Sequence, residues 1–336
     1  MHILVLNPGS SSLKRGLFRF PEGIELPEDT LVNVDAVGVR VVHGGSRFVK
    51  PVRVDDAVVA AIRELCDLAP LHNPVSLAAI EATRKERPGV PIVAAFDTAF
   101  HQTLPPLAWH YAVPPDLGVR RYGFHGISYS YVSSRVDARR HVICHLGSGA
   151  SVCALLDGRS VDTSMGLTPL EGLVMGTRAG DLDPGVVLHL LRQGHSAEEL
   201  DDLLNHRSGL LGLSGRSADV RELEQAAREG DPRAELALDL FAYRVAKYVG
   251  AYTVVLGGLD ALTFTAGIGE HSPSMRTRIC HRLGFLGVTL DEEKNRAART
   301  DERLISRGPV AVRVIPTNEE LEIARMTFVE LESDRS

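Results

Sequence analysis

Short apolar runs alternate along the chain with longer stretches whose hydrophobic residues have helical spacing. Residues 2–6 and 90–96 are such runs and are typical of buried β-strands. The segment 232–256 has apolar residues at steps of three and four, which predicts a long amphipathic helix that stops at Gly257. A short strand is predicted over 261–265. This alternation predicts an α/β fold with mostly parallel strand pairing.

Two segments share a pattern of apolar strand, Gly/Ser turn and second strand. The segments 2–14 and 141–152 superimpose with an offset of 140 positions, so that Gly9 falls on Gly149. A repeat of this kind indicates two domains that each present a small polar loop. Chance similarity between two short patterns is the alternative.

Length, charge and cysteine content narrow the class of protein. With 336 residues the chain is long enough for two domains, and a net charge of -6 argues against a dedicated nucleic-acid binder. No apolar run approaches the ~18–20 residues needed to cross a membrane, and the N-terminal run is interpreted as a strand rather than a signal peptide. The four cysteines form no CxxC pair, which favours a reducing, cytoplasmic setting without a zinc site.

Several charged residues stand where an anion is expected to bind. Lys14 follows a Gly/Ser turn whose backbone N–H groups are able to surround an anion, although an ordinary hairpin turn gives the same pattern. Arg40 interrupts an apolar run and needs a carboxylate or phosphate partner, or else a structural ion pair. Asp97 follows a strand, where α/β proteins place their sites, but it also suits a helix N-cap. His125 lies between two glycines, as a ligand-binding or a turn residue does.

Three further segments admit a functional and a structural interpretation. Arg178 is the only cation in the Gly- and Thr-rich stretch 162–183, which suits a functional segment or a connecting loop. The turn around Gly267 suits a nucleotide lying against backbone, or simply a tight turn between strand and helix. Glu319 and Glu320 open a helix, where they favour the helix dipole and are also placed to reach Mg²⁺.

Six motifs together resemble the signatures of the acetate kinase family. They lie in the order expected for that family and extend over nearly the whole chain, from Ile3 to Arg325. The motifs are NPGSSSLK (7–14), YGFHG (122–126), TSMGLTPLEG (163–172), MGTR (175–178), FTAGIGE (264–270) and PTNEE (316–320).

The resemblance implies a fold of two duplicated ribonuclease-H-like (actin-like ATPase) α/β domains with a nucleotide cleft between them, and a homodimer. The expected domains are an N-terminal lobe of residues 1–99 plus 320–336 and a C-terminal nucleotide-binding and dimerisation lobe of residues 100–319. Their boundary is expected between 97 and 141. The connection from the first hairpin to Val39 is shorter than is usual in the family, so the N-terminal lobe is expected to be trimmed.

The resemblance also implies roles for individual residues. Asp97 is the position of proton transfer, His125 and Arg178 stabilise the transition state, and Arg40 binds the substrate carboxylate. The small apolar pocket for the substrate methyl group is formed by Val42, Leu71, Phe124 and Pro169. The nucleotide-contacting positions are Lys14, His145, Leu146, Gly147, Ser148, Gly149, Asp219, Val220, Arg221, Gly267, Ile268, Gly269, Glu270 and His271. The ligands of Mg²⁺, or of Mn²⁺ in its place, are Asn7 and Glu319.

The implied reaction is reversible transfer of the ATP γ-phosphoryl group to acetate by direct in-line attack. Both reactants are anionic, so positive charge from the protein and from Mg²⁺ must offset their repulsion. A carboxylic acid with a pKa near ~4 is already ionised at pH 7 and needs no general base. We therefore interpret Asp97 as a residue that orients other groups rather than as a necessary proton acceptor.

Four substitutions depart from the family pattern. Tyr129 stands where the family has a second histidine, Ser148 and His271 each replace an asparagine, and Val220 replaces a phenylalanine. These departures leave open a propionate or butyrate kinase, a catalytically weak nucleotide-binding protein, and a pyrophosphate-dependent enzyme. The open turn at Gly267, with room for adenosine, argues against pyrophosphate.

Overall fold

The structure is a computed structural model that describes residues 1–9, 13–27, 30, 33–70 and 72–333. By its internal contacts the chain divides into two compact units. The first unit comprises Met1–Thr103, Tyr122–Tyr131 and Asn318–Ser336. The second unit comprises Leu104–Arg121 and Val132–Thr317.

The strands and helices are numbered in chain order. The strands are β1 (His2–Pro8), β2 (Leu13–Arg19), β3 (Ile24–Leu26), β4 (Ala36–Val41), β5 (Val52–Arg53), β6 (Ile92–Phe96), β7 (Arg140–Leu146), β8 (Ala150–Leu156), β9 (Arg159–Thr163), β10 (Ala261–Thr265), β11 (Arg303–Leu304) and β12 (Ala311–Val314). The α-helices are α1 (Asp56–Glu64), α2 (Asn73–Glu86), α3 (Pro106–Trp109), α4 (Gly126–Ser133), α5 (Pro184–Arg192), α6 (Ala197–His206), α7 (Gly209–Ser214), α8 (Val220–Arg228), α9 (Pro232–Leu256), α10 (Ala266–His271), α11 (Pro273–His281), α12 (Glu292–Arg296) and α13 (Glu319–Ser333). Short 3₁₀ helices lie at Leu65–Leu68, Ala99–Thr103, Pro115–Leu117 and Gly284–Leu286.

The two units repeat one sheet topology. The first sheet has the strand order β3-β2-β1-β4-β6-β5, and the second, taken in the same sense, has the order β9-β8-β7-β10-β12-β11. In each, an antiparallel three-stranded meander (β1–β3 or β7–β9) is followed by two parallel pairings and an antiparallel edge strand. The predicted duplication of an α/β domain is thereby confirmed.

The prediction of mostly parallel pairing was wrong. Among the described strands, only β1–β4, β4–β6, β7–β10 and β10–β12 pair in parallel. The sequence pattern failed here because tight hairpins join consecutive strands of each meander, and such short connections force antiparallel pairing. The first hairpin of each meander, β1–β2 or β7–β8, spans one of the two Gly/Ser segments that reveal the repeat.

Local sequence signals place the principal elements as predicted. Helix α9 begins after Asp231, whose side chain accepts hydrogen bonds from two N–H groups of the first turn, and it ends at Gly257 with φ +68°. Asp183 caps α5 by accepting one hydrogen bond, from the N–H of Gly185. The turn predicted around Gly267 is instead the short helix α10, since Ala266 takes a φ of +65° and redirects the chain into a helical turn directly after β10. None of the described helices is both long enough and apolar enough to span a bilayer.

Packing on both faces of the first sheet fixes the strand ends that carry polar residues. One face packs against α1 and α2 through residues such as Val39, Ile62 and Ile80, and the other packs against α13 through Ile323. These aliphatic side chains are fully buried. The carboxyl ends of β1, β4 and β6 are therefore held side by side, which is where an α/β sheet presents its site.

Candidate active site

Adjacent strands of the first sheet bring Asn7, Arg40 and Asp97 together. Asn7 lies near the end of β1, Arg40 near the end of β4, and Asp97 directly after β6. The Arg40 Nε and Nη2 atoms donate to the same oxygen, Oδ2 of Asp97, at 3.0 and 2.6 Å, and Nη1 donates to Oδ1 of Asn7 at 3.2 Å. A guanidinium has five N–H donors. Contacts with the described residues use three of them and leave two for an incoming carboxylate.

Burial dominates the electrostatics of this cluster. Asp97 is 1% exposed, and its Oδ1 atom has no hydrogen-bond partner among the described residues. Burial raises the pKa of Asp97 to about 6, opposed by the charge of Arg40 and assisted by the negative charge of Glu319. Burial also acts against the charge of Arg40, but Asp97 and Glu319 together raise the Arg40 pKa, so the guanidinium stays charged.

Asn7 connects this cluster to the start of α13. Its Nδ2 atom donates to Glu319 Oε2 at 3.1 Å and to Glu320 Oε1 at 2.8 Å. The two carboxylates therefore converge on one point beside Asn7. In the described part of the chain no group of three or more His, Cys, Asp or Glu residues is placed to hold a metal. An all-oxygen set of one or two carboxylates fits Mg²⁺, which usually completes its shell with water and phosphate oxygens.

Apolar side chains and His125 complete the predicted residues of the first unit. Val42 and Phe124 are buried. His125 has a left-handed backbone with φ +59°, which is uncommon for a residue with a side chain. Leu71, the remaining predicted pocket residue of this unit, lies outside the described residues.

In the second unit, Arg178 is a half-buried cation that has no acidic partner among the described residues. Its Nη1 atom donates to the carbonyl oxygen of Pro169 at 3.3 Å and lies 3.8 Å from Sδ of Met175. Within the described ranges, no carboxylate lies at ion-pair distance from it. Burial lowers the pKa of Arg178. The ordinary pKa of an arginine is so high that the group still remains charged. Such a cation is suited to receive an anion.

A network that the sequence motifs did not reveal holds the loop before Arg178. Glu171 accepts from Tyr111 Oη and Arg121 Nη2, both at 2.5 Å, and Arg121 Nη1 donates to three consecutive carbonyl oxygens, those of residues 163–165. Asp181 accepts from the N–H of Gly172 at 2.9 Å and from Tyr248 Oη at 2.8 Å. These contacts fix both ends of the Gly-rich stretch.

A cavity of about 530 Å³ lies within the second unit. It has the size typical of a small-molecule site. Eight of the predicted nucleotide positions line it: Gly147, Ser148, Asp219, Val220, Arg221, Gly267, Ile268 and His271. A Cβ atom added at Gly267 would meet no heavy atom within 4 Å, so the wall is open at that point.

The other predicted nucleotide positions do not line the cavity. In the second unit these are His145, Leu146, Gly149, Gly269 and Glu270. His145 and Leu146 are buried in β7, and Arg276 Nη1 donates to the carbonyl oxygens of Gly269 and Glu270, so these residues shape the wall from behind. Lys14 belongs to the first unit and lies exposed on β2 rather than in the turn before it.

Three lining residues were missed by the sequence analysis: Ala218, Glu224 and Ser272. The Ser272 hydroxyl donates to Glu224 Oε1 at 2.6 Å while accepting from the N–H of Met275 at 3.0 Å. Ser272 is thereby also the N-cap of α11. Glu224 follows Val220 by four residues on α8, and this spacing could have placed it at the cavity, whereas its contact with Ser272 has no local signal.

Comparison with known proteins gives consistent matches. The model of the acetokinase family matches residues 25–325. An acetate kinase from Leifsonia xyli is 53% identical over 343 residues, which covers 97% of this chain and 85% of the relative. The crystal structure of Porphyromonas gingivalis acetate kinase superimposes with a TM-score of 0.90 at 39% identity and covers 98% of this chain and 99% of the other. A propionate kinase from Francisella tularensis gives a TM-score of 0.91 at 38% identity, with the same coverage.

Proposed function

The chain belongs to the acetokinase family, and on that basis we propose that it transfers the γ-phosphoryl group of ATP reversibly to acetate, giving acetyl phosphate and ADP. An acetate oxygen attacks the γ-phosphorus, and the bond from that phosphorus to the β-phosphate oxygen breaks. Within the structure, the observation that carries the proposal is the half-buried Arg178 guanidinium. Its described contacts are neutral acceptors, which leaves its charge for a phosphoryl group.

Arg40 binds the acetate carboxylate in this proposal, and Asp97 orients Arg40. Two N–H groups of Arg40 are fixed by one carboxylate oxygen of Asp97, which holds the plane of the guanidinium. A third N–H donates to Asn7, and the two donors that remain suit a bidentate carboxylate. The resemblance to the family assigns the apolar contact for the methyl group to Val42, Leu71, Phe124 and Pro169. The pocket then favours a short acid, although one extra methylene changes binding by only ~1–3 kcal/mol.

His125 and Arg178 act on the transferred phosphoryl group. Phosphoryl transfer requires positioning and charge stabilisation more than covalent chemistry from the protein. Arg178 is held by the Pro169 carbonyl, and the backbone of His125 is held in a left-handed conformation. Fixed donors of this kind stabilise charge without reorganising during the reaction.

The nucleotide binds in the 530 Å³ cavity of the second unit. The open face at Gly267 gives room for adenosine, and Gly147 and Ser148 present backbone to the phosphates. Mg²⁺ would be held by Glu319, with Asn7 and Glu320 beside it, and would offset phosphate charge when bound.

A homodimer is proposed from the surface of the second unit. Helix α5 has the sequence PGVVLHLLR, yet none of its residues is buried, and Leu188 and Leu191 are about half exposed. An apolar helix without a buried face is typical of a surface that another chain covers. A cytoplasmic location agrees with the four free cysteines.

A propionate kinase activity is the second candidate, favoured by the Francisella neighbour at a TM-score of 0.91. A hydroxamate assay with ATP, Mg²⁺ and each of acetate, propionate and butyrate separates the possibilities. We expect acyl hydroxamate with acetate at the highest kcat/KM. A higher value with propionate would favour the second candidate. ATP binding without product from any acid would indicate a catalytically weak nucleotide-binding protein.

A further inference from the structure

The loop that carries His125 is attached to the segment after β6 at two points. The N–H of Gly126 donates to the carbonyl oxygen of Asp97 at 3.0 Å, and a Cβ atom at Gly126 would lie only 2.0 Å from that oxygen. Nε2 of His101 lies 3.0 Å from the carbonyl oxygen of Phe124. Because a carbonyl oxygen can only accept, Nε2 of His101 carries the proton and donates it.

The second contact acts directly on the backbone of His125. The Phe124 carbonyl and the His125 nitrogen belong to one planar peptide group. A hydrogen bond to that carbonyl therefore holds the orientation of this peptide group, and with it the φ angle of His125. His125 has a φ of +59°, a conformation that a residue with a side chain holds only when its surroundings enforce it. The donor from His101 is one such constraint.

The surroundings of His101 leave its ring little freedom. The residue is 1% exposed, and its ring lies edge-on to Phe100 and Tyr129, with centroids 5.6 Å from each. Tyr129 is fully buried and is one of the four residues that the sequence analysis gives as departures from the family pattern. The imidazole is therefore packed in place, and the Phe124 carbonyl accepts its proton.

We propose that His101 is a positioning residue for His125. Its Nε2–H holds the Phe124–His125 peptide so that the His125 imidazole is aimed at the transferred phosphoryl group, while His101 touches no reactant itself. The proposal rests on the proposed function, since it assigns His101 a role in the same phosphoryl transfer.

The first test compares two substitutions at this position. His101→Phe keeps an aromatic ring but removes the donor, and we expect kcat to fall about tenfold with the KM values for acetate and ATP within twofold of the parent. His101→Gln places an N–H near the position of Nε2 and is expected to restore much of kcat. An unchanged kcat in His101→Phe, or a rise in both KM values at constant kcat, would overturn the proposal.

A double-mutant cycle separates positioning from a general loss of structure. If His101 acts through His125, His101→Phe should lower kcat in the parent but change it less than twofold in the His125→Ala background. An equal fold loss in both backgrounds would show that His101 acts elsewhere. If His101→Phe does not fold, the same cycle is run with His101→Leu, which also lacks the donor, and an equal fold loss in both backgrounds again counts against the proposal.

The proposal is also testable without turnover. The NMR titration of the His125 imidazole should shift in His101→Phe and return towards the parent in His101→Gln. If the parent makes no acyl phosphate, the proposed function fails, yet this titration still decides whether His101 holds His125. An identical His125 titration in parent and His101→Phe would refute the positioning role.

Discussion

Arg40 Nη2 lies 2.6 Å from Oδ2 of Asp97, and this contact fixes the orientation of the Arg40 guanidinium. The carboxylate is almost fully buried, and burial raises its pKa to about 6. As pH falls through about 6, Asp97 takes up a proton and Arg40 loses its nearest charged partner. The ion pair is therefore complete only above that pH.

The loss of the Arg40–Asp97 ion pair at low pH gives the first prediction. In the parent, kcat/KM for acetate should fall on the acid side with a midpoint near pH 6, because acetate itself stays ionised there. Asp97→Asn cannot ionise, so the acid limb should flatten, and kcat/KM at pH 8 should fall about 10- to 100-fold from the loss of a charge-assisted bond worth ~1.5–3 kcal/mol. Rate–pH profiles check both. The same acid limb in Asp97→Asn would contradict the assignment.

Arg178→Ala should abolish phosphoryl transfer, with a loss in kcat of about 10³ or more, because an arginine at the transferring phosphoryl group contributes at that scale. ATP binding, measured by calorimetry, should change less than threefold, since Arg178 is not among the residues lining the cavity. Arg228→Ala, which removes an exposed arginine of α8, is the matched control. A kcat for Arg178→Ala equal to that of the parent would refute the role of this residue.

Tyr248→Phe should lower both stability and kcat. Burial and the neighbouring Asp181 charge raise the pKa of Tyr248, so its phenol stays protonated and donates to Asp181. Losing that bond should lower the free energy of unfolding by ~0.5–1.5 kcal/mol in urea denaturation and loosen the stretch that carries Arg178. Tyr243→Phe, on an exposed residue of the same helix, is the control. Equal effects of the two variants would argue against a role of the Tyr248–Asp181 hydrogen bond in holding this stretch.

Gly267→Gln should impair nucleotide binding without destabilising the fold. Gly267 is exposed and forms part of the cavity wall, and no heavy atom lies within 4 Å of a Cβ added there. The glutamine side chain would therefore occupy open space at that wall. We expect the KM for ATP to rise about tenfold or more and the melting temperature to stay within a few degrees. Gly250→Gln, also at an open position, is the control. An unchanged KM for ATP in Gly267→Gln would place the nucleotide elsewhere.

Leu188→Glu should convert a dimer into a monomer. The substitution puts a charge into the apolar, unburied surface of α5, and desolvating that charge in an interface is costly. Sedimentation velocity measures the change, with Leu304→Glu on exposed β11 as the control. If the parent protein sediments as a monomer, the proposed homodimer is wrong.

Sequence patterns predicted the elements whose signals are local. The spacing of apolar residues and the flanking caps gave α9, and the position of Asp97 after a run of buried residues gave the end of β6. The Gly/Ser repeat gave the duplication. Resemblance to a family then supplied roles for residues that lie far apart in the chain.

Contacts between distant residues could not be read from periodicity. Neither the convergence of Glu320 with Glu319 on Asn7 nor the placement of Glu224 beside Ser272 has a local signal, since each depends on how helices pack on the sheet. The donation from His101 to the Phe124 carbonyl is of the same kind. The helix α10 was missed because its start depends on the left-handed backbone of Ala266, which an alanine rarely adopts.

The most direct test of the central claim follows the oxygen atoms of acetate. Incubation with ATP, Mg²⁺ and acetate labelled with ¹⁸O in both carboxylate oxygens, observed by ³¹P NMR, reports which bond forms. Direct attack by acetate on the γ-phosphorus predicts acetyl phosphate whose phosphorus is bonded to one ¹⁸O. Acetyl phosphate with only ¹⁶O on phosphorus, or no acetyl phosphate at all, would contradict transfer to the acetate carboxylate.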